Sequence, residues 1–241
     1  MTRFFKNLRA FRAAAAKSNQ PWLSNLRWLG PWARSQRKGA TSVRDESPWM
    51  TFSAIARLDR HLRALDGKGR VFEWGSGGSS LFFARRAAEV VAVENDGDWA
   101  EKVRVACAER QLSHVTVAFH GADVTTPPPS FEPGDPNQYF SGSALHNGHT
   151  FRSYAEHITP FPDAHFDLIV VDGRARPACL RLALPKLKPG GLLVLDNAER
   201  PWYARARALA DAAGWPRTDH TGPGPYNQYF WQTALWRRPS K

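Results

Sequence analysis

The feature that most constrains this 241-residue chain is an alternation of two periodicities from about residue 71 onward. Short, almost wholly apolar runs at 71–74, 90–94, 114–119, 166–172 and 192–196 read as strands buried on both faces. Between and after them, residues 81–88, 98–110, 177–187 and 201–213 have helical spacing. Buried strands alternating with amphipathic helices imply an α/β fold, a doubly wound and mostly parallel sheet covered on both faces. An aromatic-rich run at 228–236 reads as the last strand, expected to lie antiparallel. In such sheets ligands bind beyond the carboxyl ends of the strands. The chemistry-bearing motifs of this chain fall at those ends.

Ile55, Leu58, Leu62 and Leu65 mark one face of a helix leading into the sheet, with Gly67 as its stop. Residues 49–241 are therefore expected to form the domain, and residues 1–48 a basic, aromatic N-terminal arm. The net charge of the chain is +11, yet the arm alone holds ten Lys/Arg and two acids, a net of +8. That concentration suits an anionic partner, a membrane or a nucleic acid. The plainer reading is a solvated helix packed on its own domain. Phe4, Phe5, Leu8 and Phe11 stand near helical spacing, while Trp22, Trp28 and Trp32 suggest irregular chain docked through aromatic contacts. Residues 124–160, rich in proline and polar aromatics, are too long for a plain connection and are expected to form a lid.

Cys107 and Cys179 are the only cysteines and form no CxxC pair, which suits a reducing compartment. No apolar run reaches the roughly 18–20 residues of a membrane span. Arg9 and Arg12 interrupt the apolar core a secretory signal would need, so a cytoplasmic location is expected. The arm's composition leaves an organelle transit peptide open.

The segment Glu73-Trp74-Gly75-Ser76-Gly77-Gly78-Ser79-Ser80 joins a buried strand to a helix through a glycine turn. Its glycines permit positive φ and close backbone approach to a ligand, and Ser79 or Ser80 suits the helix cap. Glu94 ends the next strand about 20 residues on, where an acid accepts ribose hydroxyls. Ser80 stands where a dinucleotide loop would carry its third glycine. The pattern Glu-x-Gly-x-Gly instead resembles the first motif of class I S-adenosylmethionine-dependent methyltransferases. Leu187-Lys188-Pro189-Gly190-Gly191-Leu192-Leu193 resembles the turn into that family's fifth strand. The resemblance spans about residues 50–237 and implies a Rossmann-like methyltransferase fold with S-adenosylmethionine as cofactor. It implies cofactor contacts from Glu73, Gly75, Ser76, Gly77, Ser79, Glu94, Asp123 and Asp172. The chain departs from the family at Ser79, where many members have glycine.

Asp172 ends one strand, and Asp196 with Asn197 ends the next. Neighbouring parallel strands bring such ends to about 5 Å, and three oxygen donors together suit a hard cation such as Mg²⁺. The set is similar to the Asp…Asp-Asn metal site of catechol-O-methyltransferase-like enzymes. In the position of their general-base lysine this chain has Ala175, flanked by Arg174 and Arg176. Arginine stays protonated and is a poor base, but it clamps carboxylates and phosphates. Asp172 and Arg174 are therefore the candidate catalytic residues, and Asp172, Asp196 and Asn197 the candidate metal ligands. The plainer reading has Asp172 holding cofactor or loop and Asp196-Asn197 capping a helix. Without a metal, His146, His149 or His157 of the expected lid would be the base.

The expected activity is methyl transfer from S-adenosylmethionine to an oxygen of a small-molecule or saccharide-type acceptor, with metal assistance. A nucleic-acid methyltransferase using the basic arm is the alternative, and a non-catalytic binding module of the same fold is another. Asp196-Asn197-Ala198-Glu199 is not the Asn/Asp-Pro-Pro-Tyr/Phe motif of amino-methylating nucleic-acid enzymes, which counts against base methylation.

Overall fold

A computed structural model describes residues 3–124, 131–142, 146 and 149–240. The first quarter is helical, with α1 (Arg3–Lys17), α2 (Leu29–Ser35), α3 (Ser42–Asp45) and α4 (Phe52–Arg63). The alternating part runs β1 (Arg70–Trp74), α5 (Gly78–Ala84), β2 (Glu89–Glu94), α6 (Gly97–Glu109) and β3 (Val115–Phe119). A two-strand ladder of β4 (Asp123–Val124) and β5 (His149–Thr150) precedes α7 (Arg152–Glu156). The chain then forms β6 (Phe166–Val171), α8 (Arg176–Lys186), β7 (Leu187–Asp196), α9 (Ala204–Ala212), β8 (Arg217–Gly222) and β9 (Trp231–Arg237).

Seven strands make one sheet in the order β3-β2-β1-β6-β7-β9-β8. The first five are parallel, and β9 lies antiparallel between β7 and β8. The chain moves outward from β1 to β3 and then returns to place β6 beside β1. The strand order therefore reverses between β1 and β6, the position where open α/β sheets form ligand crevices. This is the doubly wound, mostly parallel sheet the apolar runs imply.

Successive side chains of a strand face opposite sides of the sheet, and the core divides accordingly. Phe72, Ile169 and Leu193 join one layer with α7, α8 and α9, through Tyr154, Leu180 and Ala206. Their neighbours Val71, Leu168 and Val194 join the other with α4, α5 and α6, through Leu58, Phe83 and Val103. The strand β8 is not evident in the sequence. It reads Arg-Thr-Asp-His-Thr-Gly, largely exposed, because it is the sheet's outer edge, where charge discourages pairing with another chain.

The expected lid divides. Phe151, Tyr154, Ala155 and Ile158 are fully buried in the core, so its second half is a packed structural segment. Residues 125–130, 143–145 and 147–148 of the same span lie outside the described residues.

The arm is folded against the domain. Phe11 meets Trp32 and Phe230 edge-on, with ring centroids 5.4 Å and 5.1 Å away. Trp32 Nε1 donates to the Asn227 carbonyl (2.9 Å), and the Phe230 amide donates to Ser18 Oγ (2.8 Å). Where irregular chain was expected around the tryptophans, a short 3₁₀ turn and α2 stand. Phe4 and Phe5 remain exposed beside Arg3 and Lys6. Among the described residues, no helix is long and apolar enough to cross a membrane.

This packing separates two phenylalanines of one helix. Phe11→Ala should destabilise the chain by about 3 kcal/mol, as expected for a buried aromatic, while Phe5→Ala should stay within about 0.5 kcal/mol. Urea denaturation of the two variants checks this, and equal, negligible effects would show an undocked arm.

Candidate functional site

At the end of β1 the backbone turns sharply at Gly75, whose φ is +98°. A Cβ there would sit 2.8 Å from the Asp172 carbonyl oxygen, so only glycine lets β1 end between β2 and β6. The Gly75 amide donates to Val93 O (2.8 Å), and the Asp172 amide to Trp74 O (3.0 Å). The ends of three adjacent strands are thus tied together.

The loop that follows is held by Glu94. One carboxylate oxygen accepts from the Ser76 amide (2.9 Å) and Ser76 Oγ (3.1 Å). The other accepts from the amides of Asn95 (2.7 Å) and Asp96 (3.1 Å). Trp99 Nε1 donates to Ser76 O (2.8 Å) and closes the loop from the side of α6. The opposite wall comes from the arm. A Cβ on Gly78 would lie 2.1 Å from Ser42 O and 2.6 Å from Ser47 O, so α3 rests directly on the glycine loop. Glu46 fastens α3 there by ion pairs to Arg85 (3.1 Å) and Arg110 (2.7 Å).

These walls enclose a cleft of about 430 Å³ at the carboxyl ends of the strands. Gly75, Ser76, Gly77, Ser79, Glu94 and Asp172 all line it, together with Arg174, Asp196 and Asn197. Two residues expected at the cofactor are elsewhere. Glu73 is fully buried beneath the loop, where it accepts a hydrogen bond from Ser79 Oγ (2.7 Å). Burial drives its pKa up to about 8, against the opposing pull of the serine hydrogen bonds, so it holds a proton at neutral pH. Asp123 turns away to the start of α7, accepting from Thr150 Oγ1 (3.1 Å), the Arg152 amide (2.8 Å) and Ser153 Oγ (3.0 Å).

The expected metal set is also corrected. Arg176, buried at 8% exposure, occupies the space between its members. Nη2 pairs with Asp172 Oδ1 (3.0 Å), Nη1 donates to Asn197 Oδ1 (3.2 Å) and to the Asp196 carbonyl, and Nε donates to Gly173 O (3.0 Å). The Asp196 carboxylate is turned into the sheet, accepting from Thr233 Oγ1 (2.6 Å) and Trp231 Nε1 (3.0 Å). Burial and the neighbouring Asp172 raise its pKa. A carboxyl turned away onto Thr233 and Trp231 and two oxygens already bound to a guanidinium are a poor donor set for Mg²⁺. Among the described residues, no group of three or more His, Cys, Asp and Glu is placed to hold a metal.

Sequence reasoning placed Arg174 and Arg176 beside the site but did not see that Arg176 is internal. The available signal was its spacing, one helical turn after Asp172. It also missed Ser42, Trp99 and Trp231 as walls of the cleft. The candidate bases His146, His149 and His157 do not line the cleft. His157 Nδ1 instead lies 2.9 Å from His120 Nε2.

No protein-family model matches this sequence, and no curated protein matches it. Solved structures do match. A putative O-methyltransferase from Klebsiella pneumoniae shares 18% identity over 95% of this chain and 99% of that chain, with a TM-score of 0.57. An rRNA methylase from Streptococcus thermophilus shares 11% identity over 78% and 96%, with a TM-score of 0.49. A putative methyltransferase from Streptococcus mutans in complex with SAH shares 12% over 76% and 96%, with a TM-score of 0.48. The chain has the fold of the class I S-adenosylmethionine-dependent methyltransferases, as its glycine loop and late Pro-Gly-Gly strand imply.

The protonated Glu73 has a measurable consequence. Its folded pKa lies above the ordinary 4.5, so the folded chain keeps a proton that the unfolded chain releases. That contribution is complete below about pH 4.5 and is lost as the pH rises toward 8. Glu73→Gln cannot ionise and should be more stable than the wild type at pH 9, by at most about 5 kcal/mol. The gap should close toward pH 5, and urea titrations at both pH values check it.

Proposed function

We propose that this chain is an S-adenosylmethionine-dependent methyltransferase acting on an oxygen of a small-molecule acceptor, without a metal ion. The observation that carries the reading is the position of Asp172. It stands where the cofactor-side cleft reaches the segment 173–176, and it is the partly exposed carboxylate of that edge, its side chain 23% accessible.

The cleft has the size of a small-molecule site. Its glycine loop and Glu94 lie on the side expected to hold adenosine, and Asp172, Arg174 and Asn197 lie on the other. The bound cofactor would supply a methyl group already activated on a sulfonium. The chain's task is then alignment of two reactants, which lowers the barrier through proximity. Glu94 would take the ribose hydroxyls in exchange for its present bond from Ser76 Oγ. Asp172 would accept the acceptor's hydroxyl proton on its carboxylate, whose Oδ1 lies 3.0 Å from Arg176 Nη2. Burial lifts its pKa above the usual carboxylate range, against the opposing pull of Arg176 and Arg200, which favours proton uptake. Arg176 would hold that carboxylate in place through the proton transfer.

Calorimetry with S-adenosylmethionine and a methyl-transfer assay over a panel of hydroxylated acceptors test the reading. Glu94→Gln should weaken cofactor binding roughly tenfold or more, the scale of hydrogen bonds to a charged group. Asp172→Asn should lower turnover about 100-fold or more with cofactor affinity nearly unchanged, and EDTA should leave the wild-type rate intact. A rate abolished by EDTA and restored by Mg²⁺ would reverse the metal-free reading, and a wild-type chain that does not bind the cofactor would end the proposal.

A further inference from the structure

A second cavity of about 210 Å³ lies across the segment 173–176 from the first, and Gly173, Arg174 and Arg176 line both. Its walls include three arginines, Arg174, Arg176 and Arg200, and no Asp or Glu. Arg176 is neutralised by Asp172. Arg174 and Arg200 have no carboxylate within ion-pair distance among the described residues. Asp172 is paired with Arg176 and acts on Arg200 only from beyond ion-pair distance, and the other acids near the cavity bond elsewhere: Glu132 and Asp135 to Arg205, and Glu199 to the Gln232 amide. The residues outside the description at 125–130, 143–145 and 147–148 contain no Asp or Glu that could compensate them.

Cations that line one small cavity repel each other, and an anion between them removes that cost. Guanidinium groups bind carboxylate and phosphate oxygens in pairs, at fixed geometry. Trp202 and Tyr203 stand in the same wall, with Arg200 over the Trp202 ring at 5.8 Å to its centroid. The ring side limits how far the arginine can swing and gives the cavity an apolar flank.

We infer that the second cavity binds an oxyanion, a phosphate or carboxylate carried by the methyl acceptor, with Arg174 and Arg200 as its ligands. This deepens the methyltransferase reading, and rests on it for the identity of the ligand as the acceptor. It makes the substrate an anionic molecule whose charged group sits beyond Asp172 while its hydroxyl lies at Asp172.

The test is calorimetric titration of the full chain with inorganic phosphate and, separately, with acetate, at ionic strength held constant with chloride. The wild type should bind at least one of the two, and which one assigns the group. Arg200→Gln should weaken that binding roughly tenfold or more, and Arg200→Lys, which keeps the charge but loses the paired geometry, should fall between. Among the described residues the Arg200 side chain accounts for a ring contact with Trp202 and no hydrogen bond, so its loss should leave the fold intact. If Arg200→Gln fails to fold, Arg174→Gln serves the same purpose. Absence of binding by the wild type, or equal binding by the arginine-to-glutamine variant, would overturn the inference. Binding of S-adenosylmethionine is measured on the same samples. Its absence would sink the methyltransferase reading while leaving the anion result to stand or fall by itself.

Discussion

Two aspartates at the ends of adjacent parallel strands lie close enough that both cannot stay ionised without compensation. Asp172 and Asp196 solve this in two ways at once. Arg176 places a cation against Asp172 and the Asp196 carbonyl, and the Asp196 carboxyl retreats among Thr233 and Trp231, where burial favours its proton. The rest of the edge depends on this arrangement. Arg176 also holds Gly173 O and Asn197 Oδ1, so one guanidinium fixes the turns after β6 and β7 together. The same charges could have been compensated by a bound metal. The internal arginine changes the chemistry available, because a guanidinium orients a carboxylate but offers no open coordination site for a substrate oxygen.

On the other side of the switch point, Glu94 has its acceptor capacity taken up by the chain itself. Four donors meet its two oxygens, three of them backbone amides and one the Ser76 hydroxyl. A ligand reaching Glu94 therefore exchanges a hydrogen bond instead of adding one. Only the hydroxyl can rotate away at little cost, so Ser76 Oγ is the donor that would yield. The amide bonds would keep the loop in shape during that exchange. The glycine loop is backed in the same rigid way by α3 and the turn after it, where the carbonyls of Ser42 and Ser47 approach Gly78 too closely for any side chain. A segment that reads as a charged appendage thereby forms part of the wall of the cleft.

The central sheet was legible because its strands are buried on both faces and carry little but apolar residues. The glycine loop and Glu94 were legible because their chemistry is tied to strand ends. The failures have separate physical causes. The edge strand β8 has no apolar face to betray it. Glu73 stands in the motif, yet strand alternation sends its side chain beneath the loop, a direction that the motif does not record. Phe151, Tyr154, Ala155 and Ile158 have the spacing of a buried helical face, but the surrounding prolines and histidines masked it. Arg176 was misjudged because arginine is rarely internal. Its burial follows from Asp172, the Asp196 carbonyl and Asn197, which it bonds, while the Asp196 side chain expected to join them turns into the sheet.

The segment 173–176 separates the two cavities and belongs to both, and its geometry is fixed from several directions. Gly173 is packed so closely on Tyr154 that a Cβ would lie 1.8 Å from the phenol oxygen. Ala175 is held at a positive φ of 44°, a conformation a non-glycine residue adopts only when its surroundings enforce it. Here the enforcement comes from Cys179 Sγ donating to Arg174 O (3.3 Å) and from Arg176 anchored below. The turn makes alternate arginines diverge: Arg176 points into the protein and is neutralised, while Arg174 lines both cavities, with no carboxylate partner among the described residues. In the proposed reaction this tightly constrained loop, with Arg174 and the partly exposed Asp172 carboxylate, would position a reacting group. Little freedom is left to lose when a ligand arrives, which is the condition under which alignment contributes most to rate.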